Sequence, residues 1–130
     1  VELTTDTYGL MDTCDAALAT SGTVNLELAL RKVPTVVVYR ISWLNAAIAG
    51  LILRLNLPHY SLPNIILGET LFPELMHTKF TPKNATAHLL PFLKETKERQ
   101  DCIEGCDRVV KALQTTSASE RAAELILELL

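Results

Sequence analysis

Two apolar runs frame the first part of the chain, a short one at residues 16–19 and a longer β-branched one at residues 33–39. Between them Val24, Leu26, Leu28 and Leu30 alternate with good helix formers. Apolar run, turn, helix, apolar run predicts a βαβ unit whose strands are buried in a parallel sheet. Pro34 stands at the start of the second strand, where it removes no central ladder bond. Upstream, residues 1–5 alternate and predict a short strand. Asp6 and Thr7 then offer an N-cap for a short helix through Met11, ending near residues 12–14.

Downstream, Ser42 caps a predicted helix over residues 43–56. Its run from Ala46 to Leu53 is apolar on every face and is broken only by Arg54. The eleven residues from Trp43 to Leu53 are too few to span a bilayer. Such a helix is wholly buried, the preferred reading, or meets a membrane interface or a second subunit. Residues 57–68 read as extended, because each proline pushes its predecessor out of the helical region, with residues 65–67 the last strand-like run. From Thr70 onward the chain predicts helices. Glu74-Leu75-Met76 belongs to a short one, and Thr81-Pro82 opens another to about residue 96. A third spans residues 97–113 with Ile103, Val109, Val110 and Leu113 as its apolar positions. Ser117 and Glu120 have capping-box spacing before a Leu-rich end at residues 122–130. That end must pack on this domain, on another domain or on a second subunit. The fold class is therefore α/β: a parallel sheet flanked by helices over residues 1–95, with a helical C-terminal tail over residues 96–130.

Composition supports one globular unit. The 130 residues suffice for a single core, with 48% hydrophobic and 21% charged content. A net charge of −3, with Lys and Arg spread along the chain, argues against a nucleic-acid partner. Cys14, Cys102 and Cys106 are an odd, sparse set. Cys102 and Cys106 fall on one helical face, but nothing completes a metal site, so they read as core or surface thiols in a reducing compartment. The chain opens on Val1 within an alternating run, which suggests a fragment or a separated C-terminal half.

Candidate chemistry centres on the turn Thr20-Ser21-Gly22-Thr23. A small turn with glycine lets a ligand approach the backbone, and the first amides of the following helix are unpaired. Glu27, one helical turn on, is a carboxylate placed to accept hydrogen bonds from a sugar diol. The plainer alternative is that Ser21 caps a helix and Glu27 points at solvent. Tyr39 and Arg40 close a strand at its carboxyl end, where open α/β sheets form their ligand crevice. Alternatively they are an aromatic lid and a solvated cation. Asn64 follows a rigid Leu62-Pro63 and presents its amide at a fixed place, or is ordinary turn chemistry. His59 has no partner motif and reads as structural.

The segments Ala19-Thr20-Ser21-Gly22-Thr23, Leu26-Glu27, Pro34 through Tyr39-Arg40, Ser61-Leu62-Pro63-Asn64-Ile65-Ile66 and Glu74-Leu75, in this order, resemble lipid-A-disaccharide synthase, and specifically its C-terminal half. The resemblance implies a glycosyltransferase of two Rossmann-like domains, the GT-B arrangement, that moves 2,3-diacylglucosamine from its UDP donor to 2,3-diacylglucosamine 1-phosphate and releases UDP. It further implies no cofactor and no metal, a membrane surface as partner, a homodimer with exchanged C-terminal segments, and a cytoplasmic location peripheral to the inner membrane (organellar in a plant). Carried over, Ser21, Gly22 and Thr23 would cradle the diphosphate and Glu27 the ribose. Tyr39, Arg40 and Asn64 would line the donor cleft, with Asn64 the candidate catalytic or donor-orienting residue. The catalytic acid of the family would lie in the N-terminal half, so this part alone is expected to be inactive. Another UDP-sugar enzyme of the same plan, epimerase or transferase, and a non-catalytic interaction domain are the competing readings.

Overall fold

The structure is a computed structural model that describes residues 3–20, 22–39, 58–114 and 126–127. Three parallel strands form its sheet in the order β1 (Ala17–Thr20), β2 (Thr35–Tyr39), β3 (Glu74–Met76). Ala17 aligns with Thr35 and Thr20 with Val38, while Val37 aligns with Glu74 and Tyr39 with Met76. β2 is the central strand, and Thr35 through Val38 are all buried. A strand covered on both faces has no polar side to show, which is why its sequence runs Thr-Val-Val-Val without alternation.

Helix α1 (Thr7–Thr13) precedes β1, and the Asp6 carboxylate accepts the Gly9 amide at 3.0 Å to cap it. Helix α2 (Val24–Leu30) carries the chain from β1 to β2, and Lys32 turns out of it in the left-handed region with φ 58°. After β2 come α3 (Leu62–Leu67), β3, a single 3-10 turn (His77–Lys79), α4 (Pro82–Phe92) and α5 (Lys97–Gln114). Helices α2, α3 and α5 pack on one another, and α4 packs against β1 and β2. The core joins Val36, Val37 and Val38 to Phe72, Leu75, Phe92, Cys106 and Val109. A smaller cluster of Met11, Leu28 and Val33 sits under α1 and α2.

The βαβ unit, the Asp6 cap and the Thr81 cap, whose hydroxyl accepts the Asn84 amide at 3.2 Å, are as predicted. Four expectations are corrected. Leu3 to Thr5 form no strand, and Leu3 is fully in solvent, because nothing pairs with this segment among the described residues. Residues 65–67 belong to a helix: Pro63 lies in its first turn, where its missing N–H costs nothing, and Gly68 ends it with φ 67°. Glu74-Leu75-Met76 is the third strand rather than a helix. Helix α4 stops at Phe92, short of residue 96. The predicted helix at 43–56 and the Ser117–Glu120 capping box lie outside the described residues. Of the Leu-rich end, Ile126 and Leu127 are described, and both are helical and exposed.

The buried stripe of α5 is Cys102, Gly105, Cys106 and Val109, a regular i, i+3, i+4, i+7 face. A Cβ on Gly105 would come within 2.2 Å of a Leu71 methyl. Gly105→Ala gains about 0.5–1 kcal/mol of helix propensity, but overpacking a core costs about 1–3 kcal/mol. Leu71 is itself buried and has little room to yield. The variant is therefore expected to lose about 1 kcal/mol, read as a lowered urea midpoint. A raised midpoint would show that Leu71 can swing aside.

Candidate functional site

The parallel strands end together along one edge. Thr20, Tyr39 and Met76 are their last residues; the register sets Tyr39 beside Met76 and Thr20 beside Val38, one residue short of them. This is the edge at which open α/β sheets present ligand sites. Gly22 leaves β1 with φ 154°, exposed, and with open space where a Cβ would stand. Thr23 follows as the N-cap of α2 without a side-chain cap bond, so its hydroxyl is not spent on the helix. Tyr39 is 39% exposed at the end of β2. Glu27 is half-buried in the first turn of α2. Gly22, Thr23 and Tyr39 thus all follow or end strands at the carboxyl edge, whereas Ser21 and Arg40 lie outside the described residues.

Asn64 is placed differently. It is fully buried, and its amide is saturated. Nδ2 donates to the Phe72 carbonyl at 2.8 Å and to Glu74 Oε1 at 3.0 Å, while Oδ1 accepts the Leu71 and Phe72 amides at 2.9 and 2.8 Å. Two donors and two acceptor sites are all an amide has. The side chain therefore clamps the loop between α3 and β3 instead of facing a cleft. Glu74 completes the clamp from β3: Oε1 also accepts the Tyr60 amide at 3.0 Å and the Ser61 amide at 2.7 Å. That carboxylate takes the two backbone amides that lead into α3, while the Ser61 side chain makes no cap bond to the first turn. The Ser61 hydroxyl and both polar atoms of the Asn25 side chain are buried without a partner.

Beside this clamp opens a groove of about 480 Å³, lined among others by His59, Tyr60, Glu74, Met76, His77 and Lys79. His77 immediately follows β3 and holds φ 49°. A left-handed non-glycine residue costs roughly 1–2 kcal/mol, although His tolerates it better than most. His59, read from the sequence as structural, lines this groove. His77 carries no sequence signal, since a lone His without a partner motif has none.

Cys102 and Cys106 are buried together in the core. Their mutual hydrogen bond lowers the Cys102 thiol and, with burial, pushes the Cys106 thiol up. No cluster of three metal-ligating side chains occurs among the described residues. No described helix is long and apolar enough to cross a membrane.

A family model described as lipid-A-disaccharide synthetase matches residues 1–128. The chain belongs to the lipid-A-disaccharide synthase family. Relatives bearing that enzyme name include a protein of Prochlorococcus marinus, 39% identical over 88% of this chain, and one of Azotobacter vinelandii, 39% identical over 89%. A Chlamydia trachomatis relative is 39% identical over 93% of this chain. The chain spans 29% of the first two relatives and 20% of the third. Within the lipid-A-disaccharide synthase family, then, this chain supplies one Rossmann-like α/β unit, and the edge described above is its candidate site.

Proposed function

We propose that the chain is the donor-binding part of a lipid-A-disaccharide synthase-like glycosyltransferase of the two-domain GT-B plan, acting as a hexosyltransferase. The reaction would carry 2,3-diacylglucosamine from UDP to 2,3-diacylglucosamine 1-phosphate. The observation that carries this reading is the carboxyl edge of the sheet, where an open glycine turn, a free Thr23 hydroxyl and a half-exposed Tyr39 line up. Ser21, Gly22 and Thr23 would approach the diphosphate. Glu27 would take the ribose hydroxyls, and Tyr39 with Arg40 would flank the nucleotide.

Departure of UDP builds negative charge on the diphosphate, which preorganised amides and cations stabilise. Asn64 would serve this site by position, holding the loop from Tyr60 to Glu74 that walls the neighbouring groove. Acceptor deprotonation needs a base, which this reading leaves to the rest of the protein. This part alone is then inactive. Diacylated sugars reside in bilayers, so the proposed enzyme works peripherally on the cytoplasmic side of the inner membrane. The exposed Ile126 and Leu127 support a proposed homodimer contact.

Titration of the 130-residue chain with UDP, followed by NMR chemical shifts, tests the reading. Shifts are expected at Gly22, Thr23, Glu27 and Tyr39. A folded sample with no shifts at millimolar UDP would refute it.

A further inference from the structure

We infer that His77, with Lys79 and His59 beside it, forms the basic side of the diphosphate site for a nucleoside-diphosphate sugar, Lys79 bringing the charge and the imidazoles N–H donors. This rests on the donor-binding reading above and adds to it the residues that meet the phosphate charge.

The Gly22 turn brings no positive side chain of its own. Its described residues, Gly22, Thr23 and Val24, include no cation, and α2 behind them has only seven residues. A diphosphate that is to leave needs positive charge aimed at it. Along the described part of the same edge, the basic groups gather at the other end of the sheet. His77 is the residue after β3, and Lys79 and His59 line the same groove. None of the three forms an ion pair among the described residues. Glu74 is the only carboxylate among the residues lining the groove, and one of its oxygens already accepts three hydrogen bonds from Tyr60, Ser61 and Asn64. Its charge is thereby turned toward the protein, and the groove mouth is left to the bases.

Reach is consistent. β1 and β3 are separated by β2 alone, so the two ends of the site stand about 10 Å apart. A nucleoside diphosphate spans that gap when side chains extend from one end. The left-handed backbone at His77 fixes where its imidazole starts, independent of any ligand.

The test separates the imidazole from the backbone. His77→Gly removes the ring and suits the left-handed conformation, and His77→Asn keeps that conformation with a shorter side chain in place of the ring. Each is titrated with UDP and with uridine, alongside wild type and Lys79→Ala. Both His77 variants are expected to bind UDP about tenfold more weakly, with uridine shifts unchanged and melting temperature unchanged or raised. Lys79→Ala should weaken UDP in the same selective way. If wild type binds UDP and both His77 variants bind it equally well, the inference fails and the donor-binding reading survives. If wild type ignores UDP, both fall together. Equal weakening of UDP and uridine would also overturn the inference, since it would place His77 at the nucleoside.

Discussion

Asn64→Leu is expected to destabilise the protein by about 4 kcal/mol, the largest effect of any single change proposed for this chain. Leu nearly fills the same space but makes none of the four hydrogen bonds. Phe72 would lose the partner of both its amide and its carbonyl, and Leu71 would keep only the Glu69 carbonyl at 3.2 Å. Two orphaned backbone groups at about 1–3 kcal/mol each, and a lost bond to a carboxylate, give that total. Domains hold about 5–15 kcal/mol in all, so the urea midpoint should collapse. An unchanged midpoint with lost UDP binding would instead make Asn64 a ligand-contacting residue. The same substitution thus decides between the internal clamp and the catalytic role that the family resemblance suggests.

Glu74→Ala should come second, at about 2 kcal/mol. It releases the Tyr60 and Ser61 amides and one Asn64 donor together. Water can reach the Tyr60 amide, which is exposed, so the cost is smaller than for Asn64. The loss should be local. Hydrogen exchange at the Ser61 amide is expected to quicken roughly thirtyfold, while the β2 amides change by no more than the global loss of stability requires. Glu74→Gln, which retains an acceptor oxygen at the same place, should recover most of the protection. Equal loss in Gln and Ala would mean that charge, and not the acceptor, holds α3.

The sequence showed most plainly what is periodic or capped. Val24 to Tyr39 carries its helix and its buried strand in the spacing of the apolar residues, and Asp6 and Thr81 announce their helices by residue type. The errors cluster between Leu62 and Met76. There the elements are only six and three residues long, too short for either period to declare itself. Pro63 points to extension by the rule for residues before proline, although proline in the first turn of a helix is equally at home. Gly68, left-handed just past Leu67, is the stop signal. The site was legible in the same uneven way. Gly22 and Tyr39 follow from strand ends. The Asn64 clamp could not be foreseen, because its partners are set by a return of the loop at Leu71 to Glu74, and the His77 groove depends on a strand that was not recognised.

The strand order also bears on how the protein assembles. The three described strands are all parallel, so no hairpin among them can start the sheet. Pairing Ala17 with Thr35 closes a loop of 18 residues (35 − 17), and pairing Val37 with Glu74 closes one of 37 (74 − 37). The longer closure costs about 0.6 kcal/mol more in chain entropy, before the short β3 has more than three residues to offset it. The β1–α2–β2 unit therefore has the entropic lead in folding, and β3 docks onto it with the Asn64–Glu74 clamp already able to form within its own loop. The groove wall is therefore expected to be the late-arriving part of the domain.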